Sequence, residues 1–203
     1  MHKDLKKVGK LKLDSVIGSI IPESIFGAEL HQPVHHYIKS GNCYEWYYAL
    51  AQYYAPKSIY EIGNRFGYSA IALMMGAPKT CQFHGLDIEQ GIHGGSPNSG
   101  KILKKNLRSM KLLGRCNLIK GDSQQMDRID GHMDLVHIDG DHTYRGALHD
   151  MSLFVDSFGV MLVDDYNSSA DVRRAADEYI KKHGHDSYTI ESVRGLKVIL
   201  GEV

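Results

Sequence analysis

The sequence predicts an α/β domain: a doubly wound, mainly parallel sheet that closes in an antiparallel hairpin. Three observations carry this expectation. Short apolar runs alternate with amphipathic segments along most of the chain, as they do in β/α units that build a parallel sheet. Those runs end abruptly on carboxylates or glycine, so polar residues collect at one sheet edge, where open α/β sheets bind ligands. The last two β-rich runs, Ser187 to Val193 and Leu196 to Gly201, meet at Arg194-Gly195, a hairpin signal that makes the final pair antiparallel.

The bulk properties fit one domain with some decoration. The chain has 203 residues, 42% of them apolar, enough for a substantial core and too many for a disordered chain. Lys plus Arg and Asp plus Glu both number 24, so no global charge points to nucleic acid or an anionic membrane. Three cysteines, Cys43, Cys81 and Cys116, are far apart and form no CxxC pair, which reads as reduced thiols in a cytoplasmic protein. Twelve histidines are scattered without zinc-type spacing.

Taken in order, residues 1–42 form an amino-terminal arm and cap, and residues 43–203 form the main domain. Lys3, Lys6, Lys7, Lys10 and Lys12 precede an apolar run, Val16 to Ile21, that is too short for a signal-peptide core or a membrane span. A basic amphipathic arm of this kind packs either on its own domain or on a second subunit, which would make a homo-oligomer. Cys43 to Tyr54 repeats Trp46, Tyr47, Leu50 and Tyr53 or Tyr54 at helical spacing. Its aromatic face covers either the core or a substrate pocket.

Lys57 to Gly63 reads as a buried strand, followed by a turn with Gly63 and Gly67 and a helix through Tyr68, Ile71, Leu73 and Met75. Glycines in such a turn let the backbone approach a ligand, and the helix start offers unpaired N–H groups. Cys81 to Leu86 is the next strand and ends at Asp87, about twenty residues past the turn, where ribose-binding acids sit in dinucleotide folds. Gly91 to Gly100 is a loop, Lys101 to Leu113 a basic amphipathic helix, and Leu118 to Lys120 a strand ending in Gly121-Asp122-Ser123. Ala170 to His183 is a charged surface helix.

The centre of the chain lies between these. Leu135 to Ile138 runs into Asp139-Gly140-Asp141-His142, then into an amphipathic segment from Tyr144 to Val155. Val160 to Val163 runs into Asp164-Asp165-Tyr166-Asn167. Two neighbouring parallel strands would thus set four carboxylates around one pocket, which is costly without positive charge; a divalent cation is the simplest source. Hard oxygen ligands suit Mg²⁺, and the acids at these two strand ends supply them. Some of these acids serve equally well as caps, Asp141 for the following helix among them. Asp134 sits at the opposite end of its strand and is read as structural. Tyr144 and Tyr166 line the pocket or simply pack.

Together these motifs resemble a known family. Glu61-Ile62-Gly63-Asn64-Arg65-Phe66-Gly67-Tyr68-Ser69 looks like the first motif of class I S-adenosylmethionine-dependent methyltransferases. The runs Asp134 to Tyr144 and Val163 to Tyr166 are similar to a small-molecule O-methyltransferase subgroup. It includes metal-dependent sugar and macrolide enzymes and, more distantly, catechol and caffeoyl-CoA enzymes. The likeness covers residues 57–168 in motif and the remainder in topology, and it implies the Rossmann-like class I fold. Two positions depart from the pattern: Arg65 stands at the usual middle glycine, and Phe158-Gly159 replaces a glycine pair.

The resemblance implies roles as well. S-adenosylmethionine would lie on Glu61 and the turn Gly63, Arg65 and Gly67 at its methionine end, with Tyr68 and Ser69 beside its carboxylate. Asp87 and Ile88 would meet the ribose, Asp122 and Ser123 the adenine, and Asp139 the reacting end. Asp139, Asp164 and Asp165 would hold Mg²⁺, and either Asp141 or His142 would be the general base, with Asp141 slightly preferred. The product would be a methylated hydroxyl of a small molecule, a sugar or a phenol of a natural product or glycan. The alternatives are a metal-independent methyltransferase of the same fold, a nicotinamide-dependent oxidoreductase, and a non-catalytic nucleoside- or metal-binding protein. The oxidoreductase reading lacks its glycine fingerprint, because Gly63 and Gly67 have no glycine between them.

Overall fold

The computed structural model describes residues 2–12, 19–22, 25, 43–90, 98–155, 157–192 and 194–201. Seven apolar runs become strands: β1 (Ser58–Ile62), β2 (Gln82–Asp87), β3 (Cys116–Lys120), β4 (Met133–Ile138), β5 (Phe158–Val163), β6 (Asp186–Ile190) and β7 (Leu196–Leu200). They form one sheet in the order β3-β2-β1-β4-β5-β7-β6. The first five are parallel, and β7 inserts between β5 and β6, antiparallel to both. Strand order therefore reverses between β1 and β4, the switch point at which such sheets open a crevice.

Period-two alternation sends the two faces of the sheet to two cores. Ile59, Leu135, Val160 and Leu162 lie under α2 (Cys43–Tyr54), α3 (Tyr68–Gly76) and α4 (Ser99–Ser109), with Leu50, Ile71, Leu73 and Leu107. Tyr60, Ile62, Val136, Ile138 and Met161 lie under α5 (Tyr144–Ser152) and α6 (Ala170–His183), with Met151, Ala175 and Tyr179. Central strands buried on both faces are what continuous apolar runs imply. The same alternation places Glu61 of β1 and His137 of β4 side by side on the α2 face, because the two residues are register partners.

The helix ends follow local chemistry. Thr143 caps α5 by accepting from the Gly146 N–H at 3.1 Å, and Ser169 caps α6 by accepting from Val172 at 3.3 Å. Gly184 ends α6 with φ at 72°, the left-handed closure that glycine supplies. The helix expected over 101–113 instead runs from Ser99 to Ser109. Lys111 takes a positive φ of 57°, and Leu113–Arg115 tighten into a 3₁₀ turn before β3. Asp134 proves structural: its Oδ2 accepts from the N–H groups of Lys57 (2.6 Å) and Ser58 (2.9 Å), pinning the start of β1 to β4.

The aromatic helix is core. Tyr47 and Leu50 are buried in α2, and the described part of the arm, α1 (His2–Leu11), packs on it. Val8 is fully buried, and Lys12 lies 5.2 Å from the Trp46 ring centroid. Among the described residues no helix is long and apolar enough to cross a membrane. Most of the expected loop at Gly91 to Gly100, the apolar run up to Gly18, and residues 26–42 of the cap lie outside the described residues.

Candidate active site

Each parallel ladder runs one residue past its strands, and these extra bonds set the rim. The Gly63 N–H donates to the Leu86 carbonyl (2.9 Å), Asp139 to Ile62 (3.0 Å), Asp164 to Ile138 (3.0 Å) and Gly121 to Asp87 (3.0 Å). The carboxylates at the ends of β2, β4 and β5 are therefore held in file by backbone. Gly63 has φ at 92°, and a Cβ there would stand 2.0 Å from the Asp139 carbonyl oxygen, so the two central loops touch at the switch point. Arg65, at the position where the motif usually has glycine, also takes a positive φ of 45°. It tolerates this conformation while its N–H donates to Asp87 Oδ2 at 2.7 Å.

A cavity of about 380 Å³ opens over this rim, within the size range of small-molecule sites. Gly63, Arg65, Asp87, Ile88, Asp122, Ser123, Asp139, Asp141, His142 and Asp165 all line it. On the side of β2 and β3, Asp87 Oδ1 accepts from the Glu89 N–H (2.6 Å), and Asp122 Oδ1 accepts from Gln124 N–H (3.0 Å). A carboxylate has about four acceptor sites, so both acids keep lone pairs for hydroxyls or ring N–H groups. Gln124, Gln90, Gly140 and Arg194 also line the cavity.

On the opposite side the charges crowd. The His142 ring bridges Asp139 (Nε2 to Oδ1, 3.2 Å) and Asp165 (Nδ1 to Oδ2, 3.3 Å). Both ring nitrogens donate only in the imidazolium. The Asp139 hydrogen bond, opposed by burial and reinforced by the surrounding carboxylates, raises the His142 pKa to about 9. Arg194, from the β6–β7 turn, sets Nη1 3.4 Å from Asp164 Oδ2 and Nε 3.7 Å from Asp165 Oδ1. Asp165 takes a positive φ of 56°, which turns it toward the cavity while Asp164 stays 4% exposed. Burial, then the charges of Asp139 and Asp165, push the Asp164 pKa upward.

Beneath the cluster lies a second buried layer. His137 Nδ1 meets Glu61 Oε1 at 2.7 Å, with both side chains fully buried, and Asn64 Nδ2 donates to Glu61 Oε2 at 2.7 Å. The His137 ring also packs edge-on against Tyr47, centroids 4.7 Å apart. Among the described residues, Asp164 Oδ1, His137 Nε2 and the Tyr47 hydroxyl are buried without a hydrogen-bond partner.

The structure thus gathers most of the residues named from sequence and sets others apart. Glu61 faces His137 rather than the cavity, because period two puts it on the α2 face. Gly67, Tyr68 and Ser69 form the start of α3 but do not line the cavity; Tyr68 and Ser69 are buried. Asp141 lines the cavity while its Oδ1 accepts from the Thr143 N–H at 2.8 Å. Ligand atoms of Asp139, His142 and Asp165 lie within 4.8 Å of one another, whereas Asp164 turns to Arg194. Sequence reasoning missed Arg194 altogether. The count of acids called for a cation, but a turn after β6 gave no sign that β7 would insert beside β5 and bring its arginine to that rim.

Three solved structures share this fold. A methyltransferase of Podospora anserina, bound to SAH, is 18% identical and aligns with a TM-score of 0.68 over 85% of this chain and 83% of its own. The O-methyltransferase TomG of Streptomyces achromogenes, involved in tomaymycin synthesis and bound to SAM, is 14% identical with a TM-score of 0.58, over 77% and 78%. An O-methyltransferase of Bacillus cereus in complex with SAH is 16% identical with a TM-score of 0.60, over 98% and 90%. At these identities the likeness is one of fold. A comparison with curated proteins returns no match. The family model described as a methyltransferase domain matches residues 60–166, from the Glu61 turn through the second acidic strand end. The chain therefore belongs to the methyltransferase-domain family, on the class I methyltransferase fold.

Proposed function

We propose that the chain transfers the methyl group of S-adenosylmethionine to a hydroxyl of a small molecule, a sugar or a phenol, with a divalent metal, Mg²⁺, assisting. One observation carries this: a single cavity joins nucleoside-type carboxylates, Asp87 and Asp122, to the acid cluster at the ends of β4 and β5. Its volume, about 380 Å³, lies within the range of small-molecule sites. The SAM- and SAH-bound structures of the same fold support the donor. For the metal, the support is chemical. Hard carboxylate oxygens converge from two strand ends, and Asp164 Oδ1 is buried without a partner.

Each residue then has a task. Asp87 accepts from the ribose hydroxyls, while Asp122 and Ser123 meet the adenine edge. Gly63 and Arg65 bring the turn against the methionine end. Asp139, Asp164 and Asp165 would hold the metal, which when bound lowers the pKa of the acceptor hydroxyl and fixes its place. The acceptor oxygen attacks the methyl carbon in line, the carbon–sulfur electrons return to sulfur, and the hydroxyl proton leaves for a base. Alignment of oxygen and carbon accounts for much of the acceleration. Asp141 is the base we favour, because both nitrogens of His142 already engage carboxylates.

Calorimetry tests this directly. Wild type should bind S-adenosylmethionine, and Asp87→Ala should bind it at least about tenfold more weakly. Mg²⁺ should give a separate heat in wild type that Asp164→Ala loses. Donor binding with no metal heat would leave a metal-independent methyltransferase. No donor binding at all would refute the proposal and bring nicotinamide dinucleotides forward.

A further inference from the structure

Three carboxylates, Asp139, Asp164 and Asp165, crowd the rim; the His142 ring lies against Asp139 and Asp165, and the Arg194 guanidinium against Asp164 and Asp165. On the metal-assisted reading of the site, we propose that Arg194 is a displaceable counter-ion, holding the acids until a divalent cation enters and releases it.

Four features point this way. The guanidinium contacts, at 3.4 and 3.7 Å, are long for charge-assisted bonds, which run to about 2.7–2.9 Å. The Arg194 side chain is 49% exposed, so it has room to leave, whereas Asp164 and Asp165 are 3% and 13% exposed. Its backbone is anchored independently: the Arg194 carbonyl accepts from the Asn167 N–H (2.8 Å) and the Ser168 N–H (3.1 Å), and the Gly195 carbonyl from Tyr166 (3.1 Å). The side chain can therefore swing without moving the turn. Finally, Asp164 offers a buried, unpartnered Oδ1 beside the oxygen that Arg194 touches, an acceptor the guanidinium does not satisfy.

Charge repulsion gives the exchange its direction. The guanidinium and a divalent ion would compete for the same carboxylates, Asp164 and Asp165. Two positive groups held on the same acids in a half-buried site would repel each other, so entry of the ion favours departure of the guanidinium. The Arg194 side chain can withdraw into the cavity it already lines.

The test is metal affinity, read by the electron-spin signal of free Mn²⁺ titrated into the full chain. Arg194→Gln should bind Mn²⁺ about tenfold more tightly than wild type, since a competing charge is gone. Its metal-free melting temperature should fall, and saturating Mn²⁺ should raise that temperature more than it does for wild type. A variant that binds Mn²⁺ no more tightly than wild type overturns the inference. Absence of Mn²⁺ binding in both overturns it together with the metal-assisted reading, while intact donor binding would still stand. Should Arg194→Gln fold poorly, wild type gives a second readout. The Arg194 Nε–H resonance, assigned by its loss in Arg194→Lys, should shift as Mg²⁺ is added; a resonance that stays in place refutes displacement.

Discussion

Replacing Glu61 with leucine isolates the buried pair under the acid cluster. Glu61 and His137 are both fully buried, 2.7 Å apart, and Glu61 also holds Asn64. Removing one partner leaves the other desolvated, a change that costs about 3–5 kcal/mol. For a domain of this size each kcal/mol moves the melting temperature by roughly 2–4 °C, so a fall of roughly 6–20 °C is expected. The double variant Glu61→Leu/His137→Leu removes both members of the pair and should recover the part of that loss due to the stranded imidazole, while Asn64 still lacks its carboxylate acceptor.

The pH dependence has a definite sign. Burial works against charge on His137, but the Glu61 hydrogen bond and charge outweigh it and raise the ring's pKa above 6.5. A raised folded pKa contributes stability that is fully present below the unfolded value and fades as pH rises through the folded one. Wild type should therefore exceed Glu61→Leu most at about pH 6, and the gap should narrow toward alkaline pH. Urea unfolding followed by circular dichroism at several pH values measures this. A single variant within about 1 kcal/mol of wild type, or a double variant no more stable than the single, would refute the coupling.

Other expectations concern different parts of the sheet. Asp134→Ala removes the acceptor for two backbone N–H groups at the start of β1 and should cost about 1.5–3 kcal/mol. Donor affinity should not change, because Asp134 sits at the opposite strand end from the cavity; a weakened donor would contradict that separation. Gly63→Ala places a methyl 2.0 Å from the Asp139 carbonyl oxygen at a positive φ. Unfolding and calorimetry should both register it, with at least about 1 kcal/mol of stability lost and weaker donor binding. Burial, only partly offset by hydrogen bonds, raises the Asp150 pKa from 3.8 to about 6. The folded state thus favours the protonated acid, and stability falls as pH rises through that window, by up to about 3 kcal/mol. Asp150→Asn should flatten the melting temperature between those pH values, and an unchanged slope would place the titration elsewhere.

Much of the fold was legible because its signals are local. Seven apolar runs, their abrupt polar ends and the Arg194-Gly195 hairpin depend on neighbours in sequence, and each became a strand or turn where expected. Boundaries slipped where a single backbone angle decided them, as at Lys111, whose positive φ ends α4 before the amphipathic pattern does.

The site divides along the same line. Asp87, Asp122, Asp139 and Asp165 could be placed from sequence, because a residue just past a buried strand must emerge at the sheet's edge. Which way a side chain turns there could not. Glu61 and Asp164 are acids at strand ends like the others, yet Glu61 faces His137 through pairing of two strands far apart in sequence, and Asp164 turns under Arg194. By itself the sequence determined that acids would gather at one rim of a parallel sheet and that they would need positive charge. Only the tertiary structure decided where that charge comes from. Insertion of β7 beside β5 brings Arg194 to the rim, and the order of strands is set by burial across the whole sheet, which no local pattern records.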